Sequence, residues 1–322
     1  MSRLAASDAD QSVRNAAACL RHGGLVAFPT ETVYGLGADA TNDKAVARIF
    51  EAKARPRFNP LIVHVADLAA AARIAVWPDL AERLASRFWP GPLSLILRRK
   101  DRTKISPLVS AGGETIALRI PRHPLAKALL REAALPIAGP SANPAGRISP
   151  TTAAHVRAGL GGLVDKILDG GACPIGLEST VLDLTGDRAL LLRPGGLSRA
   201  DIEAVIGEPV LSPIGAADRD GDLRSPGRLE SHYAPNHRLR LDAKEVQKDE
   251  ALLAFGEHPI EGAAITVNLS PSGDLIEAAA NLFSMLHRLD REAVSRIAVM
   301  PIPKTGLGEA IADRLSRAAA PR

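Results

Sequence analysis

Residues 29–64 constrain the fold more than any other stretch of the chain. They open with Pro29-Thr30-Glu31-Thr32-Val33-Tyr34-Gly35-Leu36-Gly37, pass through Lys53-Ala54-Arg55-Pro56 and close with Asn59-Pro60-Leu61-Ile62-Val63-His64. Residues 25–28 and 61–65 are apolar runs of strand length, and between them Asn42 can cap a helix whose Val46, Ile49 and Phe50 recur on one face. Pro56 stops that helix, so Lys53 and Arg55 fall in its last turn and the loop beyond. A strand, loop, helix, loop and strand in succession commit the chain to layered α/β packing. The loops hold hydroxyls, glycines, two cations, an amide and an imidazole. Such a set suits an anionic, phosphate-bearing ligand, because hydroxyls and backbone amides donate while Lys53 and Arg55, expected near the surface of a cleft, neutralise charge.

The alternation continues beyond this stretch. Residues 10–21 read as a helix closed by Gly23-Gly24, and residues 93–97, 115–120, 135–138 and 181–184 read as strands. Helices are expected after Asp67, over residues 124–134, from Ser149-Pro150-Thr151 and from Ser198 to Gly207. The reading is a mixed α/β sheet with helical layers. Between residues 209 and 236 the pattern dissolves into Ser, Pro, Gly, Asp and Arg, which marks a linker. Further strands (251–255, 263–269, 297–301) and helices (274–289, 308–319) then make a second, smaller α/β domain. The expected division is 1–208, 209–236 and 237–322, natural for 322 residues.

Composition adds bounds. Aromatics are only 3% of residues, so the cores must be aliphatic. A net charge of +4 is compatible with a polyanionic ligand without requiring nucleic acid. Cys19 and Cys173 are too few for a disulfide framework or a thiolate metal site, no apolar run reaches membrane-spanning length, and nothing near Met1 resembles a signal core. A soluble cytoplasmic protein is expected.

Familiar signatures are weak. Gly35-Leu36-Gly37-Ala38-Asp39-Ala40 matches a loose dinucleotide pattern, but the helix cap comes only at Asn42. Lys304-Thr305-Gly306-Leu307-Gly308 has phosphate-loop residues in the wrong order and reads as the cap of the last helix. Four other patches sit at strand ends, where open α/β sheets bind ligands: Gly139-Pro140-Ser141-Ala142-Asn143, Glu178-Ser179-Thr180-Val181, Arg119, and His64. Ser141 has no local base to make it a nucleophile and is a better ligand donor. Each patch taken singly is also compatible with a turn, a surface cation or a core histidine.

Jointly, the patches resemble a known family. Thr30-Glu31-Thr32-Val33-Tyr34-Gly35-Leu36, Lys53-x-Arg55, Asn59-Pro60-Leu61, Ser141-x-Asn143 and Glu178-Ser179-Thr180-Val181 look like the YrdC domain of threonylcarbamoyl-AMP synthases. Ser225-Pro226-Gly227 and Ser231-His232-Tyr233-Ala234-Pro235 look like the linker of the long, two-domain form, and Gly306 to Ile311 with Asp313-Arg314-Leu315 resemble the end of its extra domain. One departure is Arg228, where the family commonly has Met.

The resemblance implies a YrdC-like twisted mixed-sheet domain, a linker that folds over the active site and a Rossmann-like C-terminal domain. It also implies a nucleotidyltransferase that makes threonylcarbamoyl-AMP and pyrophosphate from L-threonine, bicarbonate and ATP. A downstream transferase would place the threonylcarbamoyl group on tRNA beside the anticodon. Thr32, His64, Arg119 and Ser179 would hold threonine, with Gly139 lining its pocket. Arg55, Asn59, Thr115, Ser141, Ser149, Arg193, His232 and Tyr233 would hold ATP. Lys53, Arg55, Ser141 and Asn143 would form the catalytic cluster around bicarbonate and the α-phosphate. Mg²⁺ is expected on the triphosphate, with no protein ligands identifiable, and either His64 or Thr32 would read the threonine hydroxyl. Two other readings compete: a non-catalytic tRNA or double-stranded-RNA-binding factor, poorly served by so few aromatics, and carbamoyl transfer in hydrogenase maturation, which predicts zinc-finger cysteines.

Overall fold

The computed structural model describes residues 3–101, 103–212 and 231–321. In chain order the elements are α1 Arg3–Arg21, β1 Val26–Phe28, β2 Gly35–Asp39, α2 Asp43–Lys53, β3 Ile62–His64, α3 Leu68–Ile74, α4 Asp79–Phe88, β4 Leu93–Arg98, β5 Thr115–Arg119, α5 Pro124–Ala133, β6 Ile137–Ala138, α6 Ala153–Leu160, β7 Lys166–Ile167, β8 Thr180–Asp183, β9 Leu190–Arg193 and α7 Arg199–Ile206. A second set follows: β10 Leu239–Arg240, β11 Ala251–Ala254, β12 Ile265–Asn268, α8 Leu275–Leu289, β13 Ile297–Val299 and α9 Leu307–Ala319. Among the described residues the first set of strands forms one mixed sheet in the order β7-β1-β2-β6-β3-β5-β4-β8-β9. The second forms an all-parallel sheet in the order β10-β13-β11-β12, as a Rossmann-like unit requires.

Local chemistry sets most element ends. Asn42 accepts from the amides of Lys44 and Ala45 at the start of α2, Asp67 caps α3, Ser198 caps α7 and Asp274 caps α8. Lys53 is the last residue of α2, and Ala54 leaves the helix in the left-handed conformation, two residues ahead of Pro56. One expected start differs. Thr152, rather than Ser149, caps α6, and the Ser149 hydroxyl donates instead to the carboxylate of Glu178.

Residues 35–39, which read as loop from their glycines, form strand β2. The physical reason is close approach. A Cβ on Gly35 would lie 3.0 Å from the Phe28 ring, and one on Gly37 would lie 2.8 Å from Ile137 and 3.0 Å from Phe28. Glycine in this strand therefore makes room for an aromatic ring across the sheet, not for a phosphate. The short strands β7, β9 and β10 also went unread, as did helix α4, although Ala81, Leu84 and Ala85 recur on its buried face.

The register places functional residues side by side. Parallel pairing of β3 with β5 sets His64 beside Arg119, and β9 turns back on β8 so that Arg193 pairs with Val181, two residues from Ser179. The main core is aliphatic, as composition required. The core of the second sheet and its helices is continuous with Val33, Ile148 and Leu177 of the first unit and with Tyr233. No helix among the described residues is long and apolar enough to cross a membrane.

Gly37→Ala is expected to lower the free energy of unfolding by about 1–3 kcal/mol, the usual cost of overpacking a tight core. A denaturation midpoint equal to that of the parent chain would contradict the close-approach reading of β2.

Candidate functional site

The ends of β3, β5 and β8 and the loops beside them line a narrow, partly open cleft. Thr32, Arg55, His64, Arg119, Gly139, Ser141, Ser179, Arg193, His232 and Tyr233 line it, completed by Thr30, Val33, Gly35, Ile62, Pro140 and Glu178. Lys53, Asn59, Thr115, Asn143 and Ser149 are not among the lining residues. Residues 225–228, including Arg228, lie outside the described residues.

One end of the cleft is organised by Arg119. Its Nη2 donates to Glu31 Oε1 at 2.7 Å and its Nε to the Gly91 carbonyl at 3.1 Å, leaving Nη1 without a protein acceptor. Glu31 accepts from the Arg122 amide through its other oxygen. Burial opposes ionisation of Glu31, yet the Arg119 charge and these hydrogen bonds hold its carboxyl below the usual range. His64 is pushed down to about 3, first by burial and then by Arg119, so its ring is neutral at neutral pH. The ring meets Phe28 edge-on at 5.4 Å, and its Nδ1 is buried without a partner. A Cβ at Gly139 would come within 3.1 Å of that nitrogen, so glycine keeps it open. The Thr30 hydroxyl donates to the Val33 carbonyl, which leaves the Thr32 hydroxyl as the donor in the 2.7 Å Thr30–Thr32 bond. Thr32 therefore offers only an acceptor.

The other end concentrates positive charge. Arg55 donates to the carbonyls of Asn59 and Pro60, and burial followed by the nearby Arg193 charge lowers its pKa to about 9. Arg193 reaches the Ser179 carbonyl through Nε and Nη2 and the Ser179 hydroxyl through Nη2. His232 lies 3.9 Å from the Tyr233 ring, edge to face. Burial, then Arg55, Lys53, Arg314 and Arg193, keep its imidazole well below the ordinary value and hence neutral. Asn59 Oδ1, Asn143 Oδ1, His232 Nδ1 and the Tyr233 hydroxyl are buried without partners. Buried polar atoms are nearly always satisfied in folded proteins, so the orphans among the lining residues, on His64, His232 and Tyr233, mark a place for a polar ligand.

Lys53 and Arg55 correct the expectation of groups near the cleft surface: they are 1% and 7% exposed. The Lys53 ammonium donates to the carbonyls of Ser141 and Asn143. It fixes the shape of the Ser141-Asn143 loop from behind. Arg55 keeps its place at the cleft wall. Thr115 begins β5 while Arg119 ends it, so the two mark opposite ends of one strand. Ser149, fully buried, bonds Glu178. Glu31 was missed as a site residue, although a carboxylate between two threonines in a loop expected near a strand-end arginine was a usable signal. Among the described residues no group of three His, Cys, Asp or Glu side chains could hold a metal ion. Glu178, the cleft's carboxylate, is already taken by Ser149 and Arg314.

Comparison with known proteins agrees with this geometry. The Sua5/YciO/YrdC family model, described as "Telomere recombination", matches residues 18–195, and one described as "Threonylcarbamoyl-AMP synthase, C-terminal domain" matches residues 197–320. Threonylcarbamoyl-AMP synthase of Bacillus subtilis is 44% identical, covering 97% of this chain and 94% of the relative. That of Pyrococcus abyssi is 43% identical, covering 95% and 93%. The crystal structure of P. abyssi Sua5 complexed with L-threonine superposes with a TM-score of 0.88 at 38% identity, covering 96% of this chain and 94% of that one.

Because Lys53 is a buried donor to two carbonyls, Lys53→Met should cost stability as well as function. Leaving buried acceptors unmade costs about 1–3 kcal/mol each, so a drop of that order is expected in chemical denaturation. An unchanged unfolding free energy would contradict the positioning role.

Proposed function

Since the chain belongs to the threonylcarbamoyl-AMP synthase family, in its long two-domain form, we propose that its cleft joins L-threonine, bicarbonate and ATP into threonylcarbamoyl-AMP and pyrophosphate. The observation that carries this is the division of the cleft into a singly paired arginine with neutral acceptors at one end and a cluster of cations at the other. Threonine suits the first end. The free Nη1 of Arg119 meets its carboxylate, while Thr32 and the unpartnered Nδ1 of His64 accept from its hydroxyl and amine. Glu31 holds Arg119 in that orientation. An analogue lacking the hydroxyl would leave a buried acceptor unmatched, which disfavours it. Of the two candidates for reading the hydroxyl, His64 is favoured, because its open nitrogen faces Gly139 while Thr32 is tied to Thr30.

ATP suits the second end. Arg55 and Arg193 offset phosphate charge, while Ser141 and Ser179 donate from the floor between the two ends. The reaction needs no protein nucleophile. The threonine amine adds to bicarbonate with loss of water to give a carbamate, and a carbamate oxygen attacks the α-phosphorus as pyrophosphate leaves. Two anions must approach each other, so positioning and charge stabilisation supply the acceleration. Lys53 contributes by shaping the Ser141-Asn143 loop. The donor set does not form a resident Mg²⁺ site, since Glu178 is spent and the orphaned Asn59 and Asn143 oxygens are neutral. Mg²⁺ would arrive on the triphosphate as part of the substrate, and no step runs through a protein-bound metal. The tRNA transferase would act on the released product. The cations that an RNA-binding face would have used are buried in the cleft, so that reading is not favoured.

The test is incubation with ATP, L-threonine, Mg²⁺ and isotopically labelled bicarbonate, followed by mass detection of the mixed anhydride. Threonylcarbamoyl-AMP carrying one labelled carbon, with pyrophosphate in equal amount, is expected. Pyrophosphate release without threonine, or no labelled product from folded protein, would sink the proposal.

A further inference from the structure

Helix α9 of the second unit sends one arginine into the first. Arg314 is 1% exposed, and its Nε donates to Glu178 Oε2 at 2.8 Å while its Nη2 donates to the Pro194 carbonyl at 2.9 Å. Its guanidinium stands 5.0 Å from the centroid of the Tyr233 ring, and the ring stacks at 5.6 Å on Phe283 of α8. The other oxygen of Glu178 accepts from Ser149. His287 of α8 lies 3.1 Å from the Ser149 carbonyl, and the His232 amide donates to the Arg317 carbonyl on α9. These polar connections reach Glu178, Ser149, Pro194 and His232, on the side of the Arg55–Arg193–His232 end, while the apolar seam also takes in Val33 beside Thr32. Among the described residues no hydrogen bond or ion pair runs from the second unit to the side chains of Arg119, His64 or Thr32.

The docking is tight. Gly176, with φ of +72°, lies so close to α8 that a Cβ would come within 2.4 Å of the Ala279 carbonyl oxygen. A salt bridge from Arg199 to Glu309 closes a second point of contact at 2.6 Å. A buried guanidinium is costly unless its donors are satisfied and its charge is paired. Arg314 pairs through Nη1 with Asp313 of its own helix, but its Nε and Nη2 are satisfied only by Glu178 and Pro194, so its full burial calls for that end of the cleft to be assembled.

We propose that Arg314 is a positioning residue for ATP: through Glu178 it sets Ser149, and against its flat face it sets Tyr233, so that the second unit completes the nucleotide half of the cleft and leaves the threonine half unaffected. The proposal rests on the assignment of that end to ATP. Lysine cannot replace arginine fully, because it lacks the planar fork and face that engage Pro194 and Tyr233 together.

The test uses the full chain and calorimetric titration with ATP and, separately, with L-threonine. Arg314→Met alone would strand a buried carboxylate and could fail to fold, so it is paired with Glu178→Gln, which removes both charges. Arg314→Lys retains the ion pair as a third protein. The double variant is expected to bind ATP about tenfold more weakly, the loss of roughly one charge-assisted contact, while L-threonine affinity stays within about twofold. Arg314→Lys should fall between it and the parent. If the double variant regains parental ATP affinity along with its fold, or if Arg314→Lys binds ATP as the parent does, Arg314 is only structural and the proposal fails. If the parent chain binds ATP but makes no threonylcarbamoyl-AMP, the reaction proposed above falls, while the affinity comparison still decides the role of Arg314.

Discussion

Buried positive charge is the constraint on which the rest of this structure depends. Lys53, Arg55, Arg119, Arg193 and Arg314 are all at most 7% exposed, and the buried carboxylates set among them are Glu31 and Glu178. An uncompensated buried ion costs several kcal/mol even after relaxation, so the fold must supply dipoles where it does not supply counter-charges. Carbonyls do this work: Asn59 and Pro60 for Arg55, Ser141 and Asn143 for Lys53, Ser179 for Arg193, Gly91 for Arg119. The loops of the cleft take their shapes from that requirement. What remains is a surplus of positive potential facing the cleft, which the proposed anionic substrates would discharge. The same surplus explains why His64 and His232 are neutral: a buried imidazole beside guanidinium groups does not take up a proton.

The two carboxylates divide the surplus. Glu31 neutralises and aims Arg119, so one end carries a single directed cation suited to one carboxylate. Glu178 is consumed by Arg314 and Ser149, leaving Arg55 and Arg193 to face several negative charges at the other end. On the proposed assignment, bringing a carbamate and a triphosphate together is then a matter of geometry, since each anion would have its own cationic seat.

Much of this was legible in the sequence, and the residues that were not share a cause. Helix caps such as Asn42, Asp67, Ser198 and Asp274 declare themselves locally because the cap bond closes within a few residues. Thr32, His64, Arg119, Ser141 and Ser179 could be gathered because each lies at a strand end, and in α/β sheets those ends converge. The burial of Lys53 was not legible. Its acceptors are the carbonyls of residues 141 and 143, far along the chain, and nothing near Lys53 signals them. Strand β2 was hidden for a similar reason, since its glycines answer to Phe28 and Ile137 across the sheet. Glu178 and Arg314 were each noticed, but their pairing across two units is a tertiary fact.

Steady-state kinetics of Arg119→Lys and Arg193→Lys, with ATP and L-threonine varied in turn, tests the divided cleft most directly. Both substitutions keep the charge and lose the planar fork. A divided cleft predicts that Arg119→Lys raises KM for L-threonine by about tenfold with little change for ATP, and that Arg193→Lys does the reverse. Equal increases in both KM values for either variant would contradict it.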